Sequence, residues 1–101
     1  MKLSEQRILF TSLISDLVRE ITERGFSCYF GDGVARDGHI KNSFHYKGLA
    51  QDINLFKNGV YLTKTEDHAQ FGEYWKQLHP LCTWGGDFTR KDGNHYSFGE
   101  K

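Results

Sequence analysis

The fold of this chain is decided by the segment Leu49-Ala-Gln-Asp-Ile-Asn-Leu-Phe56, followed by Lys57-Asn58-Gly59 and Val60-Tyr-Leu62. Alternate residues of a strand point to opposite faces, so Asp52 and Asn54 share one face and the residues between them share the other. Asn-Gly between two such runs is the strongest short-range signal for a hairpin. The sequence therefore predicts a β-hairpin, with Asp52 held on a rigid strand.

Two amphipathic helices are predicted around this hairpin. The first starts at Ser4 or Glu5 and ends at Gly25, and apolar residues recur along it at steps of three and four: Phe10, Leu13, Ile14, Leu17, Val18 and Ile21. Thr65 caps the second, which stops at Pro80 with Phe71, Tyr74, Trp75 and Leu78 facing inward. His68 and His79 are expected at the surface of the second helix.

Two further strands complete an α+β prediction. Ser27–Phe30 is one, and His95–Phe98 is the other, with His95 and Ser97 on one face. Helices segregated from an antiparallel sheet make a small α+β domain. With 101 residues, 15% aromatic and 38% hydrophobic content, the chain is expected to be a single globular domain over residues 1–101.

Polar residues in two segments carry the predicted chemistry. The first segment is Ser43-Phe-His45-Tyr-Lys-Gly48-Leu-Ala50-Gln-Asp52, and the second, about forty residues later, is Asp92-Gly-Asn-His95. Two imidazoles and a carboxylate (His45, Asp52, His95) would form a three-ligand zinc site with an open fourth position, and Asp92 would add a carboxylate beside the metal. This combination indicates a hydrolase.

Each of these residues alone has a simpler structural explanation. A lone histidine among aromatic residues is usually a satisfied structural one, and Asp-Gly-Asn is a good turn sequence without any catalysis. The joint pattern of fixed offsets is much harder to obtain by chance.

The two segments resemble the motifs of the M15 family of zinc peptidases, which includes D-Ala-D-Ala carboxypeptidases and the L-alanyl-D-glutamate endopeptidases of phage endolysins. The family's first motif, S-x-H-x-x-G-x-A-x-D, is matched by Ser43, His45, Gly48, Ala50 and Asp52. The second, a carboxylate three residues before the last histidine, is matched by Asp92 and His95. The run Trp84-Gly85-Gly86-Asp87 is similar to the phage branch, and the resemblance covers about Arg36 to Phe98.

The resemblance implies a hedgehog/DD-peptidase-like zinc peptidase fold and a role for each residue. His45, Asp52 and His95 would bind Zn²⁺, which lowers the pKa of a water molecule to about 7 and polarises the peptide carbonyl. Asp92 would take the water proton and return it to the leaving amine. Family members usually have a longer segment before the first motif, carrying an arginine, and here Arg36 is only a positional candidate for the cation at the oxyanion.

Several further residues have two interpretations. Ser43 either orients the metal loop from an outer shell or is a plain turn serine, and Arg36 is either the oxyanion cation or a solvated loop arginine. Trp84 with Gly85 and Gly86 either forms a flat wall for a peptide backbone or belongs to the core. Asp87 has no assigned role.

The resemblance implies hydrolysis of peptidoglycan stem peptides, and the Trp-Gly-Gly-Asp run favours an L-alanyl-D-glutamate endopeptidase acting as a phage or prophage endolysin. A D-Ala-D-Ala carboxypeptidase would use the same metal site. A non-catalytic zinc-stabilised binding module of the same fold is the other alternative, and the carboxylate of Asp92 argues against it because a structural site has no use for a base.

Charge and hydropathy limit the partners and location. Thirteen basic and thirteen acidic residues balance, so no electrostatic signal for nucleic acid is present. No stretch approaches the roughly 20 apolar residues of a membrane span, and the N-terminus lacks the pattern of a signal peptide. We expect a monomer made in the cytoplasm and released to the cell wall by a separate factor. Cys28 and Cys82 are expected as free, mostly buried thiols.

Overall fold

A computed structural model of the chain describes residues 1–31 and 47–99. Arg36, His39, Ser43 and His45 therefore lie outside the described residues. The elements, numbered along the chain, are α1 (Leu3–Glu23), β1 (Ser27–Phe30), β2 (Ala50–Lys57), β3 (Val60–Leu62), α2 (Thr65–Leu78), β4 (Cys82–Trp84), a 3₁₀ turn (Gly85–Asp87) and β5 (His95–Phe98).

The described strands form one antiparallel sheet in the order β1-β2-β5-β4, with β3 also paired to β2. The long strand β2 changes partner along its length. Its first residues pair with β5, where Asp52 lies opposite His95, and its last residues pair with β3, where Phe56 lies opposite Tyr61. A single strand therefore connects the predicted metal ligands to the hairpin.

The predicted hairpin is confirmed. Its turn residues Asn58 and Gly59 both have positive φ, at 51° and 78°. A two-residue hairpin turn of this kind needs left-handed backbone at both central positions, which Asn and Gly adopt with least strain. The turn fixes the register of β2 and β3, and with it the face on which each side chain of β2 lies.

The core forms on one face of the sheet, between the strands and the two helices. It contains Ile53 and Leu55 of β2 and Tyr96 and Phe98 of β5, all with 0% exposure. The helices contribute the buried residues Phe10, Leu13, Ile14, Leu17, Ile21, Phe71 and Trp75. The Trp75 indole N–H donates to the carbonyls of Thr83 and Ser97, which ties α2 to β4 and β5. The α+β prediction is confirmed.

The structure corrects three local predictions. Thr65 is the first residue of α2 rather than its cap; the cap is Lys64, whose backbone N–H donates to the Asp67 carboxylate at 3.1 Å. His68 is not at the surface but 3% exposed, with Nδ1 2.9 Å from the Tyr96 hydroxyl. Strand β4 was not predicted, because its three residues are too few to establish an alternating pattern and, unlike the equally short β3, it is not marked by an Asn-Gly hairpin turn.

Two further features of the described part of the chain concern its helices and its cysteines. Neither helix in this part combines the length and the apolar character needed to cross a bilayer. Cys28 and Cys82 are both free thiols, and Cys82 is the buried one. Burial raises the pKa of both thiols, and that of Cys82 to about 12.

Candidate metal centre

Three chemistry-bearing side chains converge at the β2–β5 pair. Asp52 and His95 face each other across the two strands, and His95 Nδ1 lies 3.7 Å from Asp52 Oδ1. The side chains are largely shielded, with exposed fractions of 21% for Asp52 and 12% for His95. Because directly opposed residues project from the same face of a sheet, the register itself brings the two together.

Asp92 completes the cluster from the loop before β5. One potential ligand atom from each of Asp52, Asp92 and His95 lies within 4.8 Å of the other two. Two donors on one zinc ion are separated by at most about 4.3 Å, twice the metal–ligand distance, so small side-chain shifts would suffice. Two carboxylates and an imidazole are donors that zinc accepts. The described residues therefore fit a metal ion.

The structure covers part of the predicted site. It brings Asp52, Asp92 and His95 together, whereas His45, the third predicted ligand, lies outside the described residues, as do Arg36 and Ser43. The cluster geometry is compatible with Asp92 as a ligand as well as a base. The division of roles therefore stays a prediction.

The loop that carries Asp92 is held by backbone hydrogen bonds on several sides. The Asp92 N–H donates to the Gly85 carbonyl at 2.9 Å, and the Asp92 carbonyl accepts from His95 N–H at 3.1 Å. The Asn94 carbonyl accepts from Ile53 N–H at 2.9 Å. These bonds connect the loop to the 3₁₀ turn, to β5 and to β2. The backbone of Asp92 is therefore fixed, while its carboxylate is exposed.

Two glycines permit the close packing of this loop. A Cβ on Gly85 would overlap the Asp92 carbonyl oxygen and lie 2.8 Å from His95 Cβ. A Cβ on Gly93 would lie 2.6 Å from Thr65 Cα, in the first turn of α2. Any larger residue at either position would push the loop away from its support.

Trp84 supports the same loop from the core. It is 6% exposed, and its indole N–H donates to the Gly93 carbonyl at 2.7 Å. Its burial agrees with the core interpretation of Trp84, and a contact between Trp84 and a substrate stays a prediction. The Trp84-Gly85-Gly86 run acts as a bracket for Asp92 and His95.

Sequence reasoning missed Phe88 and the partner of Asp87. The Phe88 ring packs against the His95 ring, with centroids 5.4 Å apart, and no spacing signal marked it beforehand. Asp87 forms an ion pair with Lys76 at 2.8 Å. The hydrogen bonds that the Lys76 ammonium donates to the carboxylates of Asp87 and, to a smaller extent, Glu73 raise the pKa of Lys76. Asp87 thus connects the bracket to α2 outside the cluster.

Comparison with known proteins gives a family match. The model of a peptidase M15 family, described as D-alanyl-D-alanine carboxypeptidase, matches residues 36–98. The match spans both polar segments and the bracket between them. A comparison with curated proteins found no match.

Proposed function

The chain belongs to the peptidase M15 family, whose members are zinc peptidases of peptidoglycan, and we propose, from the similarity of its Trp84-Gly85-Gly86-Asp87 run to the phage branch of that family, that it is an L-alanyl-D-glutamate endopeptidase of the endolysin type. Its substrate would be the stem peptide of peptidoglycan. The observation that carries the metallopeptidase part of this proposal is the convergence of Asp52, Asp92 and His95 within 4.8 Å of one another.

The proposed ligands are His45, Asp52 and His95. A bound Zn²⁺ would polarise the scissile carbonyl and make a water molecule acidic at neutral pH. Asp52 and His95 would orient the site because both stand on paired strands, and the Phe88 ring would restrict rotation of the His95 imidazole. Arg36 is the proposed cation for charge on the carbonyl oxygen, and Ser43 the proposed support of the metal loop.

Asp92 is the proposed general base. Its carboxylate is exposed enough to reach a water molecule, while its backbone is fixed by Gly85 and His95. The carboxylate would accept a proton from the attacking water and deliver it to the leaving amine. A general base of this kind accelerates a reaction by about 10²–10⁴-fold.

Asp92→Asn tests the assignment directly. It should keep the fold and bind zinc with near wild-type stoichiometry, while kcat falls by about 10²–10⁴-fold because the amide cannot accept the proton. Asp87→Asn is the matched control, since it removes the same charge from the Lys76 ion pair outside the cluster. Loss of zinc from Asp92→Asn would make Asp92 a ligand, and full activity would remove it from the mechanism.

A D-Ala-D-Ala carboxypeptidase is the second candidate, favoured by the description of the matching family model. Both activities use the same metal centre but cut different bonds. Digestion of purified peptidoglycan, followed by product analysis, separates them. New N-terminal D-glutamate supports the endopeptidase, and free D-alanine supports the carboxypeptidase. If neither product appears, both activities are contradicted.

A further inference from the structure

A small cavity adjoins the cluster along the sheet. It has a volume of about 200 Å³ and lies between the end of β3, the first turn of α2 and the Asp92 loop. Asn54 lines it, and Asn54 follows Asp52 by two residues, so both project from the same face of β2. A ligand in contact with the metal centre can therefore extend into this cavity past Asp92.

The size of the cavity limits what it can hold. At about 200 Å³ it is smaller than the roughly 300–1,000 Å³ of pockets that enclose a whole drug-sized ligand. It exceeds the share of about 30 Å³ that one water molecule takes in the liquid. The cavity therefore suits a single functional group of a longer ligand.

The charged groups around the cavity favour an anion. Lys64 and Lys91 both line it, and Asp92 is the one carboxylate among the described lining residues. Within residues 1–31 and 47–99, neither lysine forms an ion pair with a carboxylate. Among these described residues, no carboxylate neutralises either ammonium group.

Most of the remaining lining residues are polar, with Ile53 and Leu62 as the apolar ones. Thr65 and Asn94 offer hydrogen-bonding groups, and the Asn54 side chain lies 3.4 Å from the Tyr61 hydroxyl. His68 also lines the cavity, and its Nδ1 is 2.9 Å from the Tyr96 hydroxyl. Burial lowers the pKa of His68, so this ring is neutral at neutral pH and the positive charge comes from the lysines.

We propose that this cavity binds a carboxylate of the substrate peptide next to the scissile bond, with Lys64 and Lys91 as its cationic partners. This inference rests on the proposed peptidase function and adds a determinant of specificity to it. The carboxylate has two possible sources in a stem peptide: the free carboxylate of an internal D-glutamate residue, or the terminal carboxylate of the peptide.

Four synthetic peptides of one sequence test the proposal, each carrying either the free acid or the carboxamide at the D-glutamate position and at the C-terminus. Hydrolysis is measured with zinc-loaded wild-type protein, Lys64→Ala, Lys91→Ala and the double variant. Arg90→Ala is the matched control, because it removes a positive charge from the same loop at an exposed residue that does not line the cavity. Binding of each peptide to the metal-free proteins is followed by the NMR amide shifts of Thr65 and Gly93.

Wild-type protein should prefer the free acid at one of the two positions by about 10- to 100-fold in kcat/KM, the value of a charge-assisted hydrogen bond. The position identifies the source of the carboxylate. The double variant should reduce the preference to about threefold or less, mainly through KM, while hydrolysis of the carboxamide peptide changes little. Arg90→Ala should retain the preference for the free acid. The free-acid peptide should shift the amide signals of Thr65 and Gly93 in wild-type protein and in Arg90→Ala, and shift them less in the double variant.

Equal hydrolysis of acid and carboxamide peptides by wild-type protein would overturn the carboxylate site while leaving the peptidase function in place. A preference that survives in the double variant would also overturn it. Failure of zinc-loaded wild-type protein to cut any of the four peptides, or peptidoglycan itself, would instead overturn the peptidase function and this site with it.

Discussion

Gly85→Ala should damage the metal centre without touching any proposed ligand. The added methyl group would overlap the Asp92 carbonyl oxygen and stand 2.8 Å from His95 Cβ, so the Asp92 loop must move away from the 3₁₀ turn. That movement also stretches the 2.9 Å hydrogen bond from Asp92 N–H to the Gly85 carbonyl.

The cost can be estimated from these contacts. Overpacking of a buried position costs about 1–3 kcal/mol, and the weakened backbone hydrogen bond about 1 kcal/mol more. Alanine also lowers the conformational entropy of the unfolded chain, which stabilises the folded state by about 0.4–1 kcal/mol. We expect a net loss of about 2 kcal/mol, which lowers Tm by about 10 °C in a domain of this size. A shift of about 1 Å in a reacting group can cost about 10²-fold in rate.

Thermal unfolding followed by circular dichroism, zinc content and kcat on a stem peptide should be measured together. Gly59→Ala is the matched control: its φ of +78° adds strain of about 1 kcal/mol, but a Cβ there meets nothing within 4 Å. The control should lose some stability and keep full activity per folded molecule. Wild-type Tm and rate in Gly85→Ala would show that this contact does not set the position of Asp92.

Three further outcomes follow from the buried groups. Trp84→Phe keeps an aromatic ring but removes the donor to the Gly93 carbonyl, so calorimetry should show a free energy of unfolding lower by about 1–3 kcal/mol, together with a lower kcat. Unchanged values would show that Trp84 does not support the Asp92 loop. Because burial lowers the pKa of His68 below 6.5, the unfolded chain binds a proton first as the pH falls, and stability should decrease below about pH 6.5. Between pH 7.5 and 5.5 the stability of His68→Gln should therefore decrease less than that of the wild-type protein. An identical decrease in both would show that it comes from a group other than His68. With a pKa of about 12, Cys82 should react with a thiol reagent only on unfolding, while the partly buried Cys28 reacts sooner; equal rates in the native state would contradict this order.

Much of the fold follows from local sequence patterns. The Asn58-Gly59 turn and the alternation along β2 predicted the hairpin, and the apolar stripe from Phe10 to Ile21 predicted the buried face of α1. These features depend on neighbours within a few residues, which the sequence displays directly. The burial of His68 was not predictable in this way, because its partner Tyr96 belongs to a distant strand.

The candidate site was predictable in its residue types but not in its geometry. Period-two alternation placed Asp52 on a strand face, and the two segments identified Asp92 and His95. The register that sets Asp52 opposite His95 is a long-range pairing, and the sequence carries no local signal for it. The contact between Gly85 and Asp92 is equally invisible, because a glycine shows only that a side chain is absent.

The pairing of β2 with β5 also has a kinetic consequence. It joins residues about forty positions apart, and a loop of that length must close before Asp52 and His95 meet. Partly folded chains therefore lack the metal centre even when α1 and the hairpin have formed, since these are local structures. Metal that binds only the completed site would slow unfolding and leave the early folding steps unchanged. Metal occupancy would thus report on the formation of this long-range strand pairing.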